Sequence, residues 1–373
     1  MEYRANRATS HEDTEQTRSW TKALPGVFML LVLAGGLLLA LLTPATFNLP
    51  DESVLDGEWA TTYQTNFEQA LALREPSVTF WGGLSYVLFK EGRPGVLVGA
   101  DGWLFTSEEF ERYSAETLQE NLETIATVRD TLASRDIELV IALVPAKARV
   151  YEEQLGRYGL PNYTAERYEV LRETLEGQGI PVANLLPALL DAKTESDVFL
   201  QADTHWTPYG AQVAAEAVAQ TVQEQAPFAE LGETDFEVAS EPPESHQGDL
   251  LTFLPLGYLE ERIGPGAEGL EPFSAEQVGG GGGDLFGDPN VPVTLVGTSY
   301  SADPKWNFAD ALKVALGADV LNAAEEGEGP FLPMIEYLNS ETLQNTVPEL
   351  VVWEIPERYS AVSYDLPAIE TSR

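Results

Sequence analysis

The chain has 373 residues, of which 60 are acidic and 21 basic, giving a net charge of −39, and it contains no cysteine. The missing thiols exclude a disulfide scaffold, a thiolate zinc site and an iron–sulfur cluster, and so acidic a chain lacks the clustered Lys and Arg that grip a nucleic-acid backbone. Hydrophobic residues at 44% rule out wholesale disorder and supply a full core for one large or two modest domains.

In chain order, the first element is an apolar run. Ala23 to Leu42 carries no charge in 20 positions, roughly 30 Å as a helix and hence the thickness of a hydrocarbon core. Arg18 and Lys22 precede it, no Lys or Arg follows until Arg74, and the first charges beyond it are Asp51, Glu52, Asp56 and Glu58. The positive-inside rule then makes residues 1–22 a cytoplasmic tail and residues 23–44 a single-pass inner-membrane anchor, with the rest of the chain periplasmic. A cleaved signal peptide is the alternative, but the run is long for one and Thr43-Pro44-Ala45 is a poor cleavage site. The tail holds four basic and four acidic residues, so the whole −39 falls on the exported part, and only 6 of the 21 basic residues are Lys. Such a surface stays hydrated where salt screens its self-repulsion, so a halophilic source is expected.

Residues 45–75 read as a stalk or linker with a helix from Ala60 to Arg74, and residues 76–373 as one α/β domain. Gly95–Gly99 and Trp103–Phe105 are short strands around the turn Ala100-Asp101-Gly102, and Ser107 is the expected cap of a helix running to about Ser134. Glu138 to Val144 is a continuous apolar run, the pattern of a central parallel strand buried on both faces. Further helices are expected at about 165–176, 207–224 (Thr207 as cap, Pro208 in first position), 305–316 and 331–345. Further strands fall at 180–185, 291–296, 318–322 and 349–354. Alternating strands and helices give a doubly wound parallel sheet. Residues 227–290, rich in Glu, Pro and Gly, interrupt this rhythm as a partly ordered insertion that could serve as a lid, with Gly279–Gly283 read as a flexible linker. No Lys-Ser/Thr follows those glycines, so they are not a phosphate loop.

Three segments carry candidate chemistry: Asp203-Thr204-His205-Trp206 before the capped helix, Gly297-Thr298-Ser299-Tyr300-Ser301 after the strand ending at Val296, and Glu325–Pro330 after the strand ending at Asn322. A Gly-x-Ser turn at a strand's carboxyl end lifts a hydroxyl into the crevice where open α/β sheets bind ligands. A serine needs a base; His205 can supply it and Asp203 can orient the ring. Gly327 and Gly329 could offer an amide and Asn322 a side-chain donor to an oxyanion. Ser301 is an alternative nucleophile or a helix cap. Asp203 and His205 read alternatively as a capping turn or two metal ligands, and His246 as a solvated loop residue. Lys147 could bind an acidic sugar or snorkel from the core. Tyr300, Trp206 and Trp353 could stack on sugar rings or be buried aromatics. Arg358 could clamp a substrate carboxylate or pair with Glu354.

These segments resemble the AlgX/AlgJ-like SGNH-hydrolase domain of alginate O-acetyltransferases. The resemblance rests on Gly99–Phe105, Val144–Ala148 with Tyr151, Asp203–Trp206, Gly248–Leu250, Gly297–Ser301, Gly327–Gly329 and Trp353–Arg358, spread over roughly residues 90–360. The Asp/His pair precedes the serine, as in the circularly permuted alginate branch. The resemblance implies Ser299 as nucleophile, His205 as base, Asp203 as its partner, and no metal or cofactor. Chain length and the single anchor look like the J-type, since the X-type adds a C-terminal carbohydrate-binding module. It further implies an exopolysaccharide acceptor and a membrane-bound acyltransferase that hands over the acetyl group; salt screening would ease the approach of a polyuronate to so acidic a surface. The expected function is therefore a periplasmic polysaccharide O-acetyltransferase; an acetylesterase with the same triad and a non-catalytic polysaccharide-binding scaffold are the alternatives.

Overall fold

A computed structural model describes residues 10–43, 45, 48–224, 231, 234–278 and 291–369. It divides the chain into two compact units, one of residues 1–84 with 255–259, the other of residues 85–254 with 260–373. The smaller unit is helical: Ser10–Leu42, Glu58–Ala70 and Arg74–Leu84. Its span Lys22–Leu42 is long and apolar enough to cross a membrane. No residue of Glu58–Ala70 is buried. Its companion Arg74–Leu84 carries the chain past residue 76, the sequence-based start of the α/β domain.

The larger unit opens with the antiparallel pair β1 (Val96–Val98) and β2 (Leu104–Thr106). Next come β3 (Glu138–Val144) and β4 (Val182–Asn184). Residues 236–277 contribute β5 (Phe236–Ser240), β6 (Glu244–His246), β7 (Glu268–Leu270) and β8 (Phe273–Gln277). The chain finishes with β9 (Val293–Val296), β10 (Val320–Asn322) and β11 (Leu350–Pro356). The central sheet has the order β10-β9-β11-β3-β4 and every pair in it is parallel.

The two faces of the sheet explain the continuous apolar strands. Val140, Ala142 and Val144 of β3, with Leu350 and Val352 of β11, join a core beneath helices Pro208–Glu224 and Phe308–Leu316. Leu139, Ile141 and Leu143, with Val351, Trp353 and Ile355, join a second core against Ala115–Ala133, Arg167–Gly177 and Phe331–Asn339. Because both faces are covered, successive side chains are all buried and alternation disappears. Each fully buried Leu or Val contributes about 1.5–3 kcal/mol against exposure.

Several boundaries differ from the sequence reading. The helix expected to start after Ser107 begins at Ala115, capped by Ser114, whose hydroxyl accepts from the Thr117 amide; Ser107–Phe110 is a separate 3-10 turn capped by Thr106. The helix expected over 331–345 breaks at Ser340, which caps the short helix Glu341–Asn345. Thr207 does cap its helix, accepting from the Gly210 amide at 3.0 Å. Within the insertion β5 pairs with β8 and β6 with β7 as antiparallel ribbons, while Gly279–Gly283 lies outside the described residues.

Candidate functional site

The turn that carries Ser299 grows directly out of the sheet. β9 ends at Val296, and Thr298 caps the short helix Ser299–Ala302 by accepting from the Tyr300 amide. Glu354, near the end of the neighbouring β11, lies under this turn. Its carboxylate accepts from the Thr298 amide at 2.8 Å, the Thr298 hydroxyl at 3.0 Å and the Ser301 hydroxyl at 3.1 Å. Burial pushes the Glu354 carboxyl up to about 7, against these hydrogen bonds that favour its ionised form. The approach is so close that a Cβ on residue 297 would lie 2.5 Å from Glu354 Oε2; only glycine fits there. Ser299 itself is half-buried.

The facing loop carries Asp203 and His205. His205 Nε2 and Ser299 Oγ are 2.8 Å apart, and His205 Nδ1 lies 2.7 Å from Asp203 Oδ1. Three side chains from positions 203, 205 and 299 thus form one hydrogen-bonded line at the carboxyl end of the sheet. Asp203 is 1% exposed. Burial opposes its ionisation, but hydrogen bonds from His205, His246 and the Asp249 amide outweigh this and hold its carboxyl well below the usual range. The imidazole of His205 stacks on the buried Trp306 at 4.8 Å and 15°.

The loop is pinned by polar groups from elsewhere. Glu268 of β7 accepts from the amides of Gln201 and Ala202. Asp249 accepts from the Thr204 amide at 2.9 Å and hydroxyl at 2.6 Å, and the Leu250 amide donates to the Ala202 carbonyl. Gly248 comes so near that any Cβ there would collide with that same carbonyl. From the opposite side Lys147 Nζ donates to the carbonyls of Leu104, Gln201 and Asp203; burial lowers its pKa to about 8.

Several sequence expectations are corrected here. His246 is not a solvated loop residue: its Nε2 lies 2.7 Å from Asp203 Oδ2. Lys147 is fully buried on three carbonyls, so it meets no sugar. Ser301 is buried with its hydroxyl on Glu354, which leaves it neither nucleophile nor cap; Thr298 is the cap. Tyr300, Trp206 and Trp353 are buried and offer no stacking surface. The Tyr300 hydroxyl donates to the Thr204 carbonyl and accepts from Arg358 Nη1 at 2.9 Å, bracing the loop of His205 against the turn of Ser299. Arg358 is buried and pairs with Glu108 at 3.2 Å rather than with Glu354 or a substrate. Asn322 spends an amide N–H on the Ser301 carbonyl and its oxygen on the Ala324 amide, so it buttresses the turn. Gly327 and Gly329 sit at φ +81° and +68° in a loop whose Glu325 amide reaches the Gly297 carbonyl at 3.2 Å; among the described residues neither glycine bonds to Ser299.

Asp203, His205 and Asp249 also lie close enough together to offer a set of metal ligands. Their atoms are otherwise engaged: both Asp203 oxygens accept from imidazoles and Asp249 holds Thr204, which is the pattern of a hydrogen-bonded relay. Sequence reasoning gave Glu354 only an ion pair with Arg358, and assigned no role to Trp306, Asp249 or Glu268. A signal existed for the first, since an acid inside the apolar strand Leu350–Pro356 must have a buried purpose. The others act through contacts between segments distant in sequence, which no local pattern reveals.

Residues 96–357 match the family model described as "SGNH hydrolase-like domain, acetyltransferase AlgX". A probable alginate O-acetylase AlgJ of Azotobacter vinelandii is 42% identical over 330 residues, covering 86% of this chain and 84% of that one. The corresponding Pseudomonas aeruginosa protein is 39% identical over 348 residues, 89% of each chain. Among solved structures, the O-acetyltransferase domain of Pseudomonas putida AlgJ superposes with a TM-score of 0.67 at 41% identity, covering 74% of this chain and 95% of that one. Pseudomonas aeruginosa AlgX gives 0.57 at 28% identity over 70% and 61%. With its parallel sheet, its permuted order of Asp, His and Ser, and matches that span most of its length, the chain belongs to the SGNH hydrolase-like family of AlgJ and AlgX.

Proposed function

We propose that the protein is an O-acetyltransferase that esterifies hydroxyls of alginate or a similar exopolysaccharide through an acetyl-enzyme on Ser299. The line Ser299 Oγ–His205 Nε2, 2.8 Å long and continued to Asp203, carries this reading. His205 takes the Ser299 proton as the oxygen attacks the donor's acetyl carbon, and passes it to the departing group. A sugar hydroxyl then attacks the acetyl-enzyme, loses its proton to His205, and the proton returns to Ser299 as the ester leaves. Asp203, held ionised, stabilises the imidazolium formed twice in each cycle. The apolar span Lys22–Leu42 is the anchor in the inner membrane with the catalytic unit in the periplasm. There acetyl-CoA is absent, and a membrane-bound acyltransferase supplies the acetyl group. The relatives' names, which refer to alginate acetylation, support the choice of acceptor.

The test uses the full-length protein in detergent with a chromogenic acetyl ester, with and without alginate oligosaccharide. Acetylated oligosaccharide and an acetylated Ser299 peptide are expected, and Ser299→Ala should yield neither. Hydrolysis that continues unchanged with every acceptor would make the protein an esterase instead. Full transfer by Ser299→Ala would remove the serine from the chemistry.

A further inference from the structure

Asp203 receives two hydrogen bonds on each oxygen. Oδ1 accepts from His205 Nδ1 at 2.7 Å and the His205 amide at 2.9 Å; Oδ2 accepts from His246 Nε2 at 2.7 Å and the Asp249 amide at 2.9 Å. A serine–histidine–aspartate line needs only the first oxygen, so the second imidazole calls for its own explanation. It comes from β6 of the insertion, 43 residues beyond Asp203.

His246 is held in one orientation. Its ring meets the indole of Trp306 edge-on at 5.2 Å and 86°, and this is the indole on which His205 stacks. Trp306 therefore fixes both imidazoles that grip Asp203. The acidic neighbours of His246 are spoken for. Glu268, its register partner across β6 and β7, holds the amides of Gln201 and Ala202, and Asp249 holds Thr204. Among the described residues Asp203 is the hydrogen-bond partner of the His246 ring.

We propose that His246 is a positioning residue for acetyl transfer, locking the Asp203 carboxylate so that its other oxygen fixes the His205 ring with Nε2 toward Ser299. The inference rests on the Ser299–His205–Asp203 reading above. A carboxylate turns readily about its Cβ–Cγ bond, and each turn would swing the imidazole it holds. A second N–H donor on the far oxygen opposes that turn, as outer partners of functional imidazoles do, and a charge-assisted bond is the stronger kind. The insertion thereby reaches the reacting atoms through two hydrogen bonds in series.

The experiment compares full-length wild type, His246→Ala, His246→Gln and Ser299→Ala in transfer from a chromogenic acetyl ester to alginate oligosaccharide. For His246→Ala, kcat should fall on the order of 10- to 100-fold, with KM and the thermal midpoint essentially unchanged. His246→Gln, whose amide N–H can reach Oδ2, should recover most of that loss. Wild-type kcat in His246→Ala would overturn the proposal. So would equal losses in both variants accompanied by a lower midpoint and altered KM, the mark of a purely structural role. Ser299→Ala separates the two ideas: if it transfers acetyl normally, the triad fails whatever His246 does.

Discussion

The turn that carries Ser299 and the loop that carries Asp203 and His205 meet across one hydrogen bond, yet they are held by different means. The turn continues from β9, is capped by its own Thr298, and rests on a carboxylate that belongs to the adjacent strand β11. The loop joins no strand of the central sheet; its ladder pairing is the isolated bridge Phe199–Trp206. Its rigidity is imported from Lys147 on one side and from Glu268, Asp249 and His246 of the insertion on the other. A hydroxyl at a strand end inherits the sheet's stiffness; an imidazole on irregular chain needs its backbone amides and carbonyls satisfied by side chains brought from elsewhere.

This contrast can be broken at graded cost. The largest effect is expected at the junction: Ser299→Ala should lower acetyl transfer on the order of 10³-fold or more, with an unchanged melting temperature, since the hydroxyl supports nothing else. Next is the support of the turn. The folded Glu354 carboxyl titrates near 7 against an ordinary 4.5, so its favourable contribution is complete below about 4.5 and is lost as pH rises through about 7. Glu354→Gln should therefore remove up to about 3 kcal/mol of pH-dependent stability across that window, read by chemical denaturation at a series of pH values. An unaltered pH slope would mean that Glu354 does not titrate there.

On the loop side, Glu268→Gln leaves one of two amides without its acceptor. It should cost about 1–2 kcal/mol and lower kcat with the ester substrate more than the equivalent surface change Glu271→Gln; a kcat equal to wild type would show that the loop stands without the insertion. The smallest effect is global. At a net charge of −39, screening by molar NaCl, with a Debye length of about 3 Å, should raise the melting temperature by several degrees, and a protein most stable without salt would contradict the halophilic expectation.

Much of this was legible in the residues. The uninterrupted apolar run Glu138–Val144 announced a strand covered on both faces, and Thr207-Pro208 announced a helix start; both follow from local rules that tertiary structure did not override. With two histidines beyond the apolar span Lys22–Leu42, His205 beside Asp203 was identifiable as the partner of Ser299. What stayed hidden was the purpose of the insertion. Its Glu, Pro and Gly content made His246 read as a solvated loop residue, whereas Glu268 and His246 face inward to bind Gln201, Ala202 and Asp203. Polar side chains that serve another segment's backbone look, in sequence, like those that serve water. The polar readings of Lys147 and Arg358 failed for a related reason: Lys147 donates to three internal carbonyls, and Arg358 donates to the Tyr300 hydroxyl and pairs with Glu108.

The order of the sheet carries one further consequence. β11, which follows the other described strands in the chain, is the middle one, and among the described strands it bridges β9 and β10 to β3 and β4. Residues 350–356 must slot between two pairs built from earlier parts of the chain, a contact distant in sequence and so slow to close, and the sheet under Ser299 is complete only when they do.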